Sequence, residues 1–260
     1  GTNGVLVVID SQFSQNNAVY GGGIFLDRNG SDIHNSRFIN NHASILGGAI
    51  STSGRMTIEE GFFERNSSGN GGGAVGGGGQ WTITHSHFSA NRTGSGGAHI
   101  YTGGGKVRID QSILRYGNEL PNGHANGGAL QAFQTDVIIT NSEILGNRVT
   151  GDGGGLHLRE GRLTMHSVQL RNNSSEQIGG GAYLVKVAGA TITYSAFEDN
   201  RTRGSAAGLF VESTGEVFVT NTDFRNNYAR GSHGGGMLAV DGVLHLDKVT
   251  FEGNSARNGG

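Results

Sequence analysis

The chain has 260 residues and a formal charge of −2, with 49 glycines, one proline and no cysteine; an average chain of this length has roughly 18 glycines. With a single proline and no Gly-X-Y period this is not collagen, and 34% hydrophobic residues with nearly balanced charge is not the composition of a disordered chain. No Lys/Arg run marks a nucleic-acid partner, the missing cysteines remove disulfides and thiolate chemistry, and no stretch nears the roughly 18 apolar residues of a membrane span.

In chain order, an alternating stretch with Leu6 and Val8 leads to Phe13 and Asn16, and the unit of an apolar residue, two residues and Asn then returns nine times. It recurs at Phe38–Asn41, Phe63–Asn66 and Phe88–Asn91. The next copy holds Leu114 with Gly117 in place of Asn, and Ile144–Asn147, Leu170–Asn173, Phe197–Asn200, Phe224–Asn227 and Phe251–Asn254 follow. Successive spacings are 25, 25, 25, 26, 30, 26, 27, 27 and 27 residues. A glycine pair, replaced once by Ala207-Gly208, follows each Asn, as in Gly47-Gly48 and Gly72-Gly73, and between that pair and the next apolar residue the sequence alternates with period 2, as in Trp81-Thr82-Ile83-Thr84. Alternation rich in Thr, Val and Ile marks strands, and no segment has a helical period. Because every copy keeps one order of markers, each turns the same way. The expectation is an all-β chain, a right-handed parallel β-helix of about ten coils of 25–27 residues, roughly 48 Å long at about 4.8 Å per coil. Residues 1–260 read as one such domain, with a loop excursion around 117–126 that holds Pro121, the single proline.

Stacked coils place equivalent residues in files. Asn16, Asn41, Asn66, Asn91, Asn147, Asn173, Asn200, Asn227 and Asn254 are expected at turns, where Asn tolerates left-handed backbone and its amide can form a structural ladder through the coils. Files headed by Leu6 and Val8 and the Phe file are expected to be core. Gly76 to Gly79 resemble a phosphate cradle only superficially, since no helix follows them and no Lys accompanies them. After the glycine pairs two adjacent files are both apolar, and adjacent strand residues face opposite ways. The larger, Phe25, Ile50, Val75, His99, Leu130, His157, Tyr183, Phe210 and Leu238, is the candidate binding stripe if it faces outward; the alternative is that it is core and the small file faces solvent.

The pairing of Phe38-Ile39-Asn40-Asn41 with Gly47-Gly48-Ala49-Ile50 resembles the repeats of the chlamydial polymorphic outer membrane proteins. That resemblance implies a secreted or autotransported β-helical passenger at the bacterial outer-membrane surface or outside the cell, acting as an adhesin or stalk toward a protein or glycan of a host or neighbouring cell, with no catalysis and no cofactor.

Parallel β-helices also carry polysaccharide lyases and hydrolases, whose acids converge from adjoining coils. The candidates for that alternative are Glu59 and Glu60 beside His34 and His85, and Asp110 with Arg108, each interrupted within one coil by Thr or Asn. The ten histidines show no recurrent ligand spacing, and no metal site is expected. Both ends read as uncapped, which suggests a segment of a longer rod or, alternatively, a subunit stacking end to end into an extracellular fibre.

Overall fold

The structure, a computed structural model, describes residues 4–27, 30–231 and 233–260; residues 1–3, at the start of the sequence, Arg28, Asn29 and Ser232 lie outside the described residues. Among the described residues every strand pairing is parallel, and the strands form three sheets of 16, ten and nine strands that run the length of the molecule. Each coil contributes to all three. The largest sheet takes the strands on either side of the alternating stretch, which merge in the coils of Val75–Thr84, Ile100–Asp110 and Leu130–Thr140 and divide elsewhere, as at Leu156–Arg159 and Arg162–His166. The glycine run Gly76 to Gly79 lies inside one of these merged strands, with a register shift between Gly77 and Gly79.

Register follows the repeat. Phe13, Phe38, Phe63, Phe88, Leu114, Ile144, Leu170, Phe197, Phe224 and Phe251 are successive partners in the ten-stranded sheet. Their rings stack nearly parallel at both ends of the file, with centroids 4.8 Å apart for Phe38 and Phe63 and 4.6 Å for Phe63 and Phe88. Removing each such ring from water contributes about 1.5–3 kcal/mol. The files headed by Leu6 and Val8 point inward beside them, burying Met56, Trp81 and Ile83.

The corner after the Phe file divides its work between two residues. The left-handed backbone falls one residue earlier than sequence reasoning placed it, on Asn40, Arg65, Ala90 and Asn172, at φ between +52° and +54°. The following Asn is the hydrogen-bonding member. Asn41 donates its amide to Asn66 Oδ1 at 3.0 Å and to the Phe13 carbonyl at 2.9 Å, and the Asn41 backbone N–H donates to the same Asn66 oxygen. This pattern repeats from Asn16 to Asn91 and again from Asn147 to Asn254, leaving no polar atom of the buried amides unmatched. A second ladder, unforeseen in the sequence, runs along the corner before the Phe file. Ser86 N–H donates to Ser112 Oγ at 3.0 Å and Ser112 N–H to Ser142 Oγ at 3.1 Å, while each hydroxyl donates to a carbonyl two residues back.

Where Gly117 interrupts the Asn file, His99 bridges the break. Asn91 Nδ2 donates to His99 Nδ1 at 3.0 Å, and His99 Nε2 lies 3.2 Å from Asn147 Oδ1. Asn147 spends its amide hydrogens on Leu114 and Asn173, so its oxygen accepts and the His99 proton sits on Nε2. Full burial, only partly opposed by the hydrogen bond to Asn147, holds the imidazole neutral with a pKa of about 3. In the other coils this position carries Ala or Gly, as at Ala74 and Ala129. One coil has therefore exchanged sizes: His replaces a small residue and Gly replaces Asn.

Candidate functional site

The candidate stripe does not exist as a single file. Gly21, Gly47, Gly72, Gly127, Gly153, Gly179 and Gly234 share left-handed φ values of +56° to +70°, with Ala206 at +59°, and three positions after each stands the first inward aliphatic residue. Small residues fill the intervening positions, and the glycine doublet starts on this corner in some coils, as at Gly47, and one residue after it in others, as at Gly154; a slip of one exchanges the faces. The inward file is Ile24, Ile50, Val75, Ile100, Leu130, Leu156, Ala182, Leu209 and Met237. Ile50, Val75 and Leu130 are thus core, and His99 is the interior bridge; none of these four is a surface residue. Phe25, His157, Tyr183, Phe210 and Leu238 do occupy the outward file, together with Ser51, Gly76, Tyr101 and Gln131, which the sequence reading did not include.

Along this outward file a groove of about 470 Å³ opens over Tyr101, Gln131, His157 and Tyr183. The rings of His157 and Tyr183 stack at 5.2 Å and those of Tyr183 and Phe210 at 4.8 Å. Phe133 and Arg159 line the groove further along the same strands, where the guanidinium lies 5.6 Å from the ring centroid, and Asn126 and Asp152 line it from the preceding corner. The excursion around 117–126 supplies part of that wall by folding back on the rod. The Glu119 carboxylate accepts from the Ala125 N–H at 3.1 Å, the Thr150 N–H at 3.2 Å and the Thr150 hydroxyl at 2.8 Å. Ala125 is buried as a result, and Asn126 faces both this groove and a second one of about 490 Å³ that shares Tyr101 and Gln131.

Electrostatically the groove is mixed. Burial, reinforced by the Arg159 charge, holds His157 neutral with a pKa of about 4, and its buried Nδ1 has no hydrogen-bond partner. Burial pushes Asp152 up, opposed by the Ile178 N–H that donates to its Oδ1 at 3.0 Å. Tyr183 is also raised, first by burial and then by the Asp152 and Glu212 charges. These groups can hydrogen-bond and stack.

A family model described as right-handed beta helix region matches residues 74–256, more than half of the chain. The chain belongs to that family. Within this right-handed β-helix the Chlamydia polymorphic membrane protein repeat matches residues 35–53, the coil of Phe38, Asn41 and Gly47 to Ile50. No curated protein matches the chain.

On the β-helix, the acids singled out in the sequence lie apart from the groove. His34 Nδ1 and Glu59 Oε2 are 3.1 Å apart on the exposed surface, and Glu60 is the left-handed corner residue after them. Glu59 and Asp110 share a file with Thr84 between them, two coils or about 9.6 Å apart. Asp110 accepts from Thr140, from Asn141 at 3.0 Å and from Gln111 at 3.4 Å; the Thr140 bond most of all holds its carboxyl below the usual range, which keeps it ionised and unsuited to donating a proton. His85 Nε2 lies 2.9 Å from Gln111 Oε1, and Arg108 stands in a neighbouring outward file. Among the described residues no group of three His, Cys, Asp or Glu side chains gathers as a metal site.

Proposed function

We propose that this β-helix is a non-catalytic passenger or stalk of a bacterial surface protein, and that it acts as an adhesin through the groove on its largest sheet, toward a protein or glycan of another cell. The observation that carries the reading is the part-exposed Tyr183, stacked between the largely buried rings of His157 and Phe210 and lining the groove beside the folded-back excursion, the place where a uniform rod becomes locally individual. The polymorphic membrane protein repeat supports the surface location.

The test is binding of the fluorescently tagged chain to a panel of cultured cells and arrayed glycans. Wild-type protein is expected to be retained on at least one of them, and Tyr183→Ala with Gln131→Ala to reduce retention about tenfold while remaining folded, Tyr183→Ala giving up about 1 kcal/mol through its lost ring stacking. Equal retention of that variant removes the groove from the reading. Incubation with acidic and neutral polysaccharides is expected to release no fragments; fragment release abolished by Glu60→Gln or Asp110→Asn overturns the non-catalytic assignment.

A further inference from the structure

The nine-stranded sheet carries a different feature on its outer surface. Its outward file reads Arg92, Asn118, Arg148, Ser174, Arg201 and Tyr228 from coil to coil. At the corner that follows, Arg203 and Arg230 stand in adjacent coils, their backbone N–H groups donating to the Ser175 and Thr202 carbonyls. Arg148, Arg201, Arg203 and Arg230 converge on one shallow depression of about 270 Å³ that contains a single carboxylate, Glu176. That carboxylate lies 3.7 Å from Arg148 and 3.2 Å from Arg203, holding both guanidinium groups over the depression. Arg201 and Arg230 are exposed and have no ion pair among the described residues. Four guanidinium groups against one carboxylate give a local charge of +3 on a chain whose formal total is −2.

We infer that this face binds a linear sulfated polysaccharide lying along the rod. The fixed rise of the coils sets the spacing. Arg148 and Arg201 are two coils, about 9.6 Å, apart, Arg203 and Arg230 one coil, about 4.8 Å, and the patch extends about 14 Å along the axis. Guanidinium forks engage planar or tetrahedral oxyanions through paired N–H donors, and Arg remains charged at any working pH. Between the arginines the Ser174 hydroxyl and the half-exposed Tyr228 ring face the same depression and suit the hydroxyls and ring faces of a sugar. Because the chain outside the patch carries a formal −5, contact is confined to a short stretch of any polyanion, and the Ser174 hydroxyl and Tyr228 ring are what favour a sugar over a duplex. The inference concerns a face separate from the groove and draws on the proposed surface location only for where such a glycan is met.

The experiment is titration of the purified chain with heparin, unsulfated dextran and a DNA duplex of matched length at 50 mM and 200 mM NaCl, by calorimetry. Heparin is expected to bind at 50 mM salt and to weaken at 200 mM, while dextran does not bind. Arg201→Gln with Arg230→Gln is expected to weaken heparin binding at least about tenfold with thermal unfolding unchanged, and Tyr183→Ala to leave it intact. If the double variant fails to fold, each single substitution is expected to weaken binding about threefold or more. Absence of heparin binding, equal binding by folded arginine variants, or DNA binding as tight as heparin overturns the inference.

Discussion

His99 and Gly117 are a pair of substitutions that make sense only together. A Cβ built on Gly117 would lie 2.9 Å from His99 Nε2 and 3.0 Å from Asn147 Oδ1, and closer still to the Gly128 carbonyl oxygen. Gly117→Asn alone is therefore expected to destabilise, and His99→Ala alone leaves Asn91 Nδ2 and Asn147 Oδ1 each short of a partner. The double variant restores the Asn–Ala combination of the neighbouring coils, so the two changes are expected to couple favourably by about 1 kcal/mol or more in chemical denaturation; strict additivity contradicts the bridge. The imidazole also ties stability to pH. Its pKa is about 3 when folded and 6.5 in the unfolded chain, so the unfolded state takes up the proton first. Stability is full above pH 6.5 and falls as pH drops from 6.5 toward 3, on the order of 4 kcal/mol over the window. His157, at about 4, acts in the same direction. Unfolding midpoints at pH 7.5 and 4.5 are expected to differ, and the difference to shrink in His99→Gln; an unaltered pH slope in that variant contradicts a neutral buried His99. The size exchange was hidden in the sequence because His99 sits eight residues from Asn91 and 48 from Asn147, and only the stacking brings them to one point.

At the scale of the strand, alternation told which residues share a face but not where the strand after the glycines begins. Gly, Ala and Ser fit either side of such a strand, so a one-residue slip produces two equally apolar files, and the left-handed corner is the marker that decides between them. Gly72 occupies that corner at φ +59°, where a Cβ would collide with the Val75 carbonyl oxygen. Gly72→Ala is expected to cost about 1–2 kcal/mol of left-handed strain, the equivalent corner of another coil carrying Ala206 at the same φ, while Gly103→Ala, whose Cβ meets nothing within 4 Å, is expected to be nearly neutral. Comparable melting temperatures for the two would remove the corner from the account. The Ser ladder escaped notice for a similar reason: isolated serines in a polar corner look like solvent-facing turn residues until their neighbours above and below are known.

For the whole molecule, a rod of stacked coils is held by contacts between neighbours, so an excursion from one coil is tolerated when its polar groups find partners nearby. Glu119 provides them for the loop around 117–126. Glu119→Gln exchanges a charged acceptor for a neutral one and is expected to lose about 1–3 kcal/mol, with faster proteolysis near Pro121 and Asn122; an uncleaved, equally stable variant contradicts the anchoring role. The same stacking brings Arg148, Arg201, Arg203 and Arg230 together although 53 residues separate the first two, which is why a chain without a basic run still has a basic face.

The linear chain by itself determined the architecture, because a recurring apolar residue and Asn at intervals of 25–30 residues can be satisfied together only by coils that turn alike and stack in register. What only the tertiary structure decided is which side of each strand faces water and which distant side chains become neighbours. Those depend on the backbone sign at a single corner residue and on the register that sets residues 8 to 53 positions apart side by side, neither of which is written in the order of the letters.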